Sequence, residues 1–332
     1  MKKILVILTG GTIGSKSENG TVDVSSEAAY SIINLYYDKY GRDSEFDVIQ
    51  PVNTLSENIT TDIWIDLSNC LENVNCNNYR GIIICHGSDT LTYTSNVVGM
   101  LYNRLPLPIV LIASNYELDN EKSNGIINFR SAVCVIKSVL RGVFVAYSND
   151  KGDNDIYIAT RIIESDPYLD QYRSFDGKPW GKIVEDRLIV NMPPGIEELN
   201  YFNSLNISSP DSFKNKVMLI RPYPDMDYSN INLDGVSAVV HYMYHSATAC
   251  VAGENTSIIN FAKRCKECGV KLYAASFKDR NIERAYMSSR EILKEGVIPL
   301  FNISPEAAYI KVLIGENSED FDINKTIYFE SL

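Results

Sequence analysis

Short runs of apolar, largely β-branched residues alternate with amphipathic stretches along most of the chain. Continuous apolar runs are typical of buried parallel strands, and apolar residues spaced by three and four positions are typical of helices that pack on a sheet. The alternation therefore predicts a doubly wound parallel sheet. The last helix is expected to be capped by Ser304, with Pro305 in its first turn. The strand-like runs are KILVIL, GIIIC, PIVLIAS and GVFVAYS in the first half, and KVMLIRP, SAVVHYMY, KLYAAS and VIPLFN in the second.

The chain has 332 residues, which is more than one hydrophobic core normally holds. Between the two series of strands, the segment from 165 to 215 is rich in Tyr, Asp, Asn, Pro and Ser and contains the turn sequences DGKPWG and MPPG. We therefore predict an α/β fold with two doubly wound, flavodoxin-like domains. The larger N-terminal domain, with a parallel or mixed sheet, is expected over 1–190, a linker over 191–215, and a smaller domain with a parallel sheet over 216–332.

The net charge of −11 argues against nucleic acid and anionic membrane surfaces as partners. The apolar run from Ile4 to Leu8 is too short for the core of a signal peptide, and no apolar stretch is long enough to span a bilayer. The seven cysteines are irregularly spaced, as expected for reduced thiols. We therefore expect a cytoplasmic protein.

Two pairs of residues have spacings that are sometimes found in metal sites. Cys265 and Cys268 form a C-x-x-C, but they lie in a predicted helix without a second pair, so we interpret them as ordinary helix cysteines. His241 and His245 lie four positions apart next to a predicted strand and lack a third ligand nearby, so we again favour a structural interpretation. We also expect His86 to point into the fold as a hydrogen-bonded structural residue. No cofactor or metal is predicted.

Three loops rich in small polar residues follow predicted strands or precede predicted helices, where sites form in open α/β sheets. The first is TGGTIG, in which Thr12 is either a nucleophile or a helix cap. The second is HGSDT, in which Ser88 is a candidate hydroxyl relay and Asp89 either binds a cation or caps the next helix. The third, NTLSEN, is on its own a polar loop before a helix that begins near Thr61.

Taken together, TGGTI near residue 10, SENIT near 56 and HGSDT near 88 resemble the asparaginase/glutaminase family, whose two signature segments are TGGTI and HGTDT. The resemblance extends over almost the whole chain, through SNGIINFRSAV, RGVFVAYSND and the final helix–strand–helix segment. It implies the two-domain fold predicted above and an amidohydrolase activity.

The resemblance assigns roles to five residues. Thr12 corresponds to the threonine that attacks the side-chain amide carbon and forms an acyl-enzyme. Ser88 stands where the family has a second threonine and keeps its hydroxyl. Asp89 corresponds to the aspartate that receives the substrate α-amino group, and Ser56 and Glu57 correspond to the pair that holds the α-carboxylate and α-amino group. Backbone N–H groups beside Thr12 and Ser88 are expected to stabilise the oxyanion.

The chain departs from the family where a lysine polarises the second hydroxyl. The corresponding segment offers Arg161, Glu164 or Ser165, depending on the register. Arg161 is a possible substitute that supplies fixed charge but cannot take up a proton. Glu164 is the alternative that can act as a base.

A second departure lies in the loop after TGGTI, where the family places a tyrosine against the nucleophile. Thr21 is the best match to that position and a candidate substrate contact. Tyr30 is the nearest tyrosine, but we interpret it as a core residue of the following helix. The turns after PIVLIAS and SAVVHYMY also differ from those of the family, which indicates a different pocket edge.

These patterns predict a hydrolase that converts L-asparagine to L-aspartate and ammonia through an acyl-threonine intermediate. The alternative is a catalytically weakened member that binds a small amino acid or acts on an Asn-containing peptide. A subunit of a tRNA-dependent amidotransferase, which shares the fold, is a third and less favoured interpretation. The resemblance further implies a small amino-acid amide as substrate and a homodimer or homotetramer.

Overall fold

A computed structural model of the chain describes residues 2–11, 15–18, 21–24, 27–149, 152–165, 168–202, 207–278, 285–319 and 321–332. The chain divides into two compact units, residues 1–206 and 207–332. The larger unit contains a mixed sheet and the smaller a four-stranded parallel sheet, so the predicted fold class is confirmed. The exact limits of the domains and linker stay a prediction.

The elements of the larger unit alternate between strand and helix up to residue 148 and are mainly strands after it. In chain order they are β1 (Lys3–Leu8), β2 (Ser15–Glu18), β3 (Thr21–Val24), α1 (Glu27–Tyr40), β4 (Phe46–Ile49), α2 (Thr61–Glu72), β5 (Tyr79–Cys85), α3 (Leu91–Tyr102), β6 (Pro108–Ile112), α4 (Gly125–Ser138), β7 (Gly142–Ser148), β8 (Asn154–Ile158), β9 (Ile162–Ile163), β10 (Arg173–Ser174), β11 (Gly181–Val184), β12 (Arg187–Val190) and α5 (Ile196–Tyr201).

The sheet of the larger unit has the strand order β12-β11-β8-β7-β6-β5-β1-β4. Strands β4, β1, β5, β6 and β7 are parallel, and the chain leaves β1 first towards β4 and then towards β5, which is the flavodoxin-like order. Helices α1 and α4 contact each other, as do α2 and α3. The parallel strands are buried along most of their length, as their continuous apolar sequences predict.

Beyond β7 the sheet continues with antiparallel strands that the sequence did not predict. Strand β8 pairs with β7 and β11, and β11 pairs with β12. Side chains of β11 and β12 alternate in exposure, since this end of the sheet is only partly covered. An alternating pattern is a weaker signal than a continuous apolar run, and here it lies among turn-forming residues.

The smaller unit has its strands in chain order within one parallel sheet. Its core is shared by the sheet and helices α6 and α7, while α8 packs on β13 and β14. Helix α8 begins as predicted, because Ser304 Oγ accepts the N–H of Ala307 at 3.1 Å and Pro305 occupies the first turn. The elements are β13 (Lys216–Ile220), β14 (Val236–Tyr242), α6 (Ile258–Glu267), β15 (Lys271–Phe277), α7 (Met287–Lys294), β16 (Ile298–Phe301) and α8 (Pro305–Glu316).

A buried ion pair attaches the C-terminal segment to helix α8. Lys311 Nζ donates to Glu330 Oε1 at 2.8 Å and to the carbonyl of Lys325 at 2.7 Å, and both charged side chains are at most 5% exposed. The Glu330 carboxylate also accepts the N–H groups of Ile327 and Tyr328. Because each charge is desolvated and satisfied by the other, removing one leaves a buried charge without compensation.

Two of the three histidines are buried, one in each unit. Nδ1 of His86 lies 2.7 Å from the carbonyl oxygen of Gly87, and Nε2 lies 2.9 Å from the Thr94 hydroxyl. The same hydroxyl accepts the indole N–H of Trp64. This confirms the expected structural role of His86. His241 lies in β14 with Nε2 2.7 Å from the Tyr228 hydroxyl. Burial lowers the pKa of both imidazoles to about 4.

Cys265 is buried within α6 as predicted, whereas Cys268 is the residue that follows the last turn of this helix and is exposed. No helix among the described residues is long and apolar enough to cross a membrane.

The buried ion pair leads to a stability prediction. Replacing Glu330 by Gln should lower the free energy of unfolding of the 207–332 unit by about 3–5 kcal/mol, because Lys311 stays buried and charged. Lys325→Gln is the matched control, since it removes an exposed pair with Asp322 and should change stability by less than about 1 kcal/mol. Urea unfolding measures both, and equal effects of the two variants would contradict the assignment.

The buried histidines predict a pH dependence. Their pKa is about 4 in the folded chain, against an ordinary value of 6.5 for an imidazole in water, so the unfolded chain binds protons first as pH falls. The free energy of unfolding should therefore decrease between about pH 6.5 and 4, by at most about 1.4 kcal/mol per pH unit for each histidine. NMR titration of the imidazole C–H signals, assigned with a His245→Asn variant, should show two that stay neutral at pH 5.5. Titration of all three near pH 6.5 would be incompatible with this prediction.

Candidate active site

The strand order of the larger sheet reverses between β1 and β5, where ligands bind in open α/β sheets. The backbone at the carboxyl ends of these strands is joined by hydrogen bonds. The N–H of Thr9 donates to Cys85 O at 3.1 Å, and the N–H of Thr54 donates to Thr9 O at 3.0 Å. The three loops singled out by sequence therefore meet at this edge of the sheet.

Glycines allow the three loops to approach each other closely. Gly10 and Gly11 have φ angles of +106° and +78°, which side-chain-bearing residues rarely adopt. A Cβ added to Gly11 would lie 2.6 Å from Cα of Gly87, and one added to Gly87 would lie 2.5 Å from Oγ of Ser56. A Cβ on Gly10 would overlap the backbone of Thr54. The loops can therefore keep this contact only with glycine at these positions.

Ser56 and Asp89, predicted to bind substrate, form a hydrogen-bonded pair. The hydroxyl of Ser56 lies 3.2 Å from Oδ2 of Asp89 and accepts the Asp89 N–H at 3.3 Å. The carbonyl of Ser56 accepts the Thr90 hydroxyl at 2.7 Å. Ser56 is buried, while Asp89 is exposed, so the pair presents a carboxylate of fixed orientation to solvent. Glu57 is also exposed and follows Ser56 in a 3₁₀ turn.

Ser88 is half-buried, and its carbonyl is held by a tyrosine that the sequence motifs did not indicate. Tyr172 donates its hydroxyl to Ser88 O at 2.5 Å. Burial raises the pKa of Tyr172 well above its ordinary value, so the hydroxyl stays protonated and remains a donor. The ring of Tyr172 packs edge-on against Tyr147 with centroids 4.7 Å apart. The position of Ser88 therefore depends on a residue 84 positions away.

Tyr172 is itself fixed at its backbone. Its N–H donates to Asn149 Oδ1 at 3.1 Å, and its carbonyl accepts the Tyr157 hydroxyl at 2.9 Å. The side-chain amide of Asn149 also donates to the carboxylate of Asp155, which connects the network to the amino-terminal end of β8. A high local tyrosine content is the only signal of this network in the sequence.

Thr12, the predicted nucleophile, lies outside the described residues, as do the side chains of Thr21 and Tyr30. The backbone of Gly11, one residue before Thr12, contacts Gly87. The roles assigned to Thr12 and Thr21 remain predictions.

The candidates for the place of the family lysine lie in different surroundings. Arg161 forms an ion pair with Asp176 at 3.1 Å, both side chains being largely buried, and donates to Pro193 O at 3.4 Å. Glu164 accepts the hydroxyl of Tyr93 at 2.5 Å, and Tyr93 lies in the first turn of α3, which follows Ser88 in sequence. Glu164 thus contacts the helix next to Ser88. The partners of Arg161, in contrast, lie in the segments that follow β10 and β12. The role of Arg161 stays a prediction.

In the part of the chain that the structure describes, no group of three or more His, Cys, Asp or Glu side chains could hold a metal ion. His241 bonds to Tyr228, and the exposed His245 lies 3.1 Å from the Ser246 hydroxyl. Among the described residues, the site offers the hydroxyls of Ser56 and Ser88, the carboxylates of Asp89 and Glu57, and backbone N–H groups.

Comparison with known proteins identifies relatives over nearly the whole chain. Several archaeal proteins named as a subunit of glutamyl-tRNA(Gln) amidotransferase are similar to it. The one from Saccharolobus solfataricus is 24% identical over 323 residues, covering 94% of this chain and 70% of the relative. The protein of the same name from Metallosphaera sedula is 24% identical, covering 96% and 73%.

Solved structures of similar fold include L-asparaginases. The thermostable L-asparaginase from Thermococcus kodakarensis has a TM-score of 0.82 at 23% identity, covering 99% of each chain. L-asparaginase I from Vibrio cholerae has a TM-score of 0.74 at 18% identity, covering 100% of this chain and 99% of the other. The sequence profile of the family described as "Asparaginase, N-terminal" matches residues 3–195. The chain therefore belongs to the asparaginase/glutaminase family.

Proposed function

We propose that this chain hydrolyses the side-chain carboxamide of L-asparagine, or of a close relative, to a carboxylate and ammonia. The observation that supports the proposal most is the Ser56–Asp89 hydrogen bond beside the contact between Gly11 and Gly87. It brings a hydroxyl and an oriented carboxylate next to the backbone that leads into Thr12. Family membership supports an amide as substrate.

The charges of the site favour a free amino acid. Asp89 and Glu57 are both exposed carboxylates next to Ser56, and they complement the α-ammonium group of a bound amino acid. Contact between the α-carboxylate and the Ser56 hydroxyl requires the O–H to turn from Asp89 Oδ2 towards the substrate. A peptide whose α-amino group is blocked would leave these two acids without a cationic partner.

The proposed reaction proceeds in two steps. The Thr12 hydroxyl oxygen attacks the amide carbon while its proton passes to a base, and the base returns this proton to the amide nitrogen, which leaves the tetrahedral intermediate as ammonia and makes Thr12 an aspartyl ester. Backbone N–H groups beside Thr12 and Ser88 stabilise the oxyanion. Water then attacks the ester, oriented by the Ser88 hydroxyl, and releases aspartate with the Thr12 hydroxyl restored.

Glu164 is our candidate for the proton acceptor in place of the family lysine, because its carboxylate accepts the hydroxyl of Tyr93 at the start of α3. Arg161 cannot take up a proton and is retained only as a source of fixed positive charge. Either group accepts a proton in its deprotonated form, so a carboxylate acceptor starts with a charge of −1 and becomes neutral, whereas an amine acceptor starts neutral and becomes a cation.

A second candidate function follows from the names of the amidotransferase relatives. Under this second proposal the chain cleaves the same amide within a larger amidotransferase, and the nitrogen is passed on instead of released. Asparaginase activity of the isolated chain would favour asparagine hydrolysis as its function. A chain that amino acids stabilise against unfolding, but that releases no ammonia, would favour an amidotransferase subunit or a weakened family member. We further propose a cytoplasmic homodimer or homotetramer.

The nucleophile assignment predicts the behaviour of two variants. Thr12→Ala should lower ammonia release from L-asparagine at least about a thousand-fold, because the ester cannot form. Thr12→Ser keeps a hydroxyl and should retain measurable activity. Ammonia is measured with asparagine and glutamine as substrates, and unchanged activity of Thr12→Ala would falsify the proposal.

The Tyr172 contact predicts a selective effect on turnover. Tyr172→Phe removes the hydrogen bond to Ser88 O and should lower kcat about ten-fold, the equivalent of about one hydrogen bond, with KM for asparagine little changed. Tyr147→Phe is the matched control, since it removes a hydroxyl from the ring packed on Tyr172 and spares the bond to Ser88. Equal kcat values for both variants would exclude a positioning role for Tyr172.

A further inference from the structure

A basic hollow lies at the amino-terminal edge of the larger sheet. It has a volume of about 120 Å³ and is next to the first residues of β1 and β5. The six residues of β1 span about 20 Å, so the hollow lies at the opposite end of the strand from Gly11 and the candidate active site. Its charged lining residues are Lys2, Arg42, Asp43, Glu45, Arg80 and Lys137.

Both arginines of the hollow are held by uncharged partners. The guanidinium carbon of Arg42 lies 4.8 Å from the centre of the Tyr37 ring, and this ring packs on Phe46. Arg80 donates to the carbonyl of Lys137 at 3.1 Å, which uses one of its five donors. These contacts restrict both side chains without neutralising them, and such preorganisation lowers the entropy lost when an anion binds.

The acids of the hollow do not cancel its positive charge. Asp43 accepts from Lys137 and Arg130, each at 2.7 Å, so its charge is matched by cations. Although its partial burial acts in the opposite direction, these bonds and one from Tyr36 lower the pKa of Asp43, which stays ionised. The carboxyl ends of α1 and α4 add about half a negative charge each. An excess of about one positive charge remains, in a chain with a net charge of −11.

We propose that the basic hollow binds a phosphate or pyrophosphate group of a small phosphorylated molecule. Two guanidinium groups favour phosphate as the ligand, because each planar guanidinium group can donate two parallel hydrogen bonds to phosphate oxygens. The volume suits one or two phosphate groups. A nucleic-acid strand is disfavoured, because the negative charge of the remaining surface repels a long polyanion.

Titration calorimetry with inorganic pyrophosphate at low ionic strength tests the proposal. We expect one pyrophosphate bound per chain, and a Kd raised at least about ten-fold by Arg42→Gln and by Arg80→Gln. Arg104→Gln is the matched control, because it removes the same charge from an exposed position outside the hollow and should leave Kd within about two-fold. Arg42 is exposed, so its variant tests the site even if Arg80→Gln disturbs the fold.

Two results would overturn the proposal: the absence of binding at millimolar pyrophosphate, or the same Kd change in Arg104→Gln as in Arg42→Gln. Ammonia release from asparagine, measured on the same samples, separates this inference from the proposed function. We expect Arg42→Gln to keep the wild-type rate. A wild-type chain that binds pyrophosphate but releases no ammonia would contradict the proposed function and still support a phosphate-binding site in the basic hollow.

Discussion

The backbone contact between Gly11 and Gly87 is the constraint on which the candidate active site depends. The loops after the adjacent strands β1 and β5 touch here: a side chain on Gly11 would overlap the backbone of Gly87, and one on Gly87 would overlap Ser56. The same contact brings Ser56 against Gly87, and Ser56 in turn orients the carboxylate of Asp89. The glycines of TGGTI and HGSDT therefore bring the loops of the site together, whereas the hydroxyls and acids beside them supply its proposed chemistry.

The two ends of the larger sheet differ in charge. Exposed carboxylates, Asp89 and Glu57, lie at the carboxyl end of the strands, while Arg42 and Arg80 lie at the amino end. The strands between them span about 20 Å, which exceeds the Debye length of about 8 Å at physiological ionic strength. Exposed charges at one end thus have little electrostatic effect at the other, and the chain can present opposite charges to two ligands.

The sequence was sufficient to predict β1, β5, β6, β7, the strands of the smaller unit and the cap at Ser304, because each follows from a local pattern. It did not predict β4, and the joining of three loops into one site was implied by the resemblance to the family. It could not predict that Tyr172 would hold Ser88, since 84 residues separate them and the intervening chain folds back through irregular segments. The antiparallel strands after β7 were missed for a related reason: they are short, and the side chains of β11 and β12 alternate in exposure. The meeting of Glu164 with Tyr93 likewise depends on tertiary structure.

The proposed reaction requires an ester to form on Thr12 during cleavage of a carboxamide. The most direct measurement is mass spectrometry of the chain mixed with L-asparagine, quenched in acid within a single turnover and digested. We predict an added aspartyl group on the peptide that contains Thr12, lost at the same rate as aspartate appears. Ammonia release without any such adduct, or an adduct on a peptide that lacks Thr12, would contradict the claim.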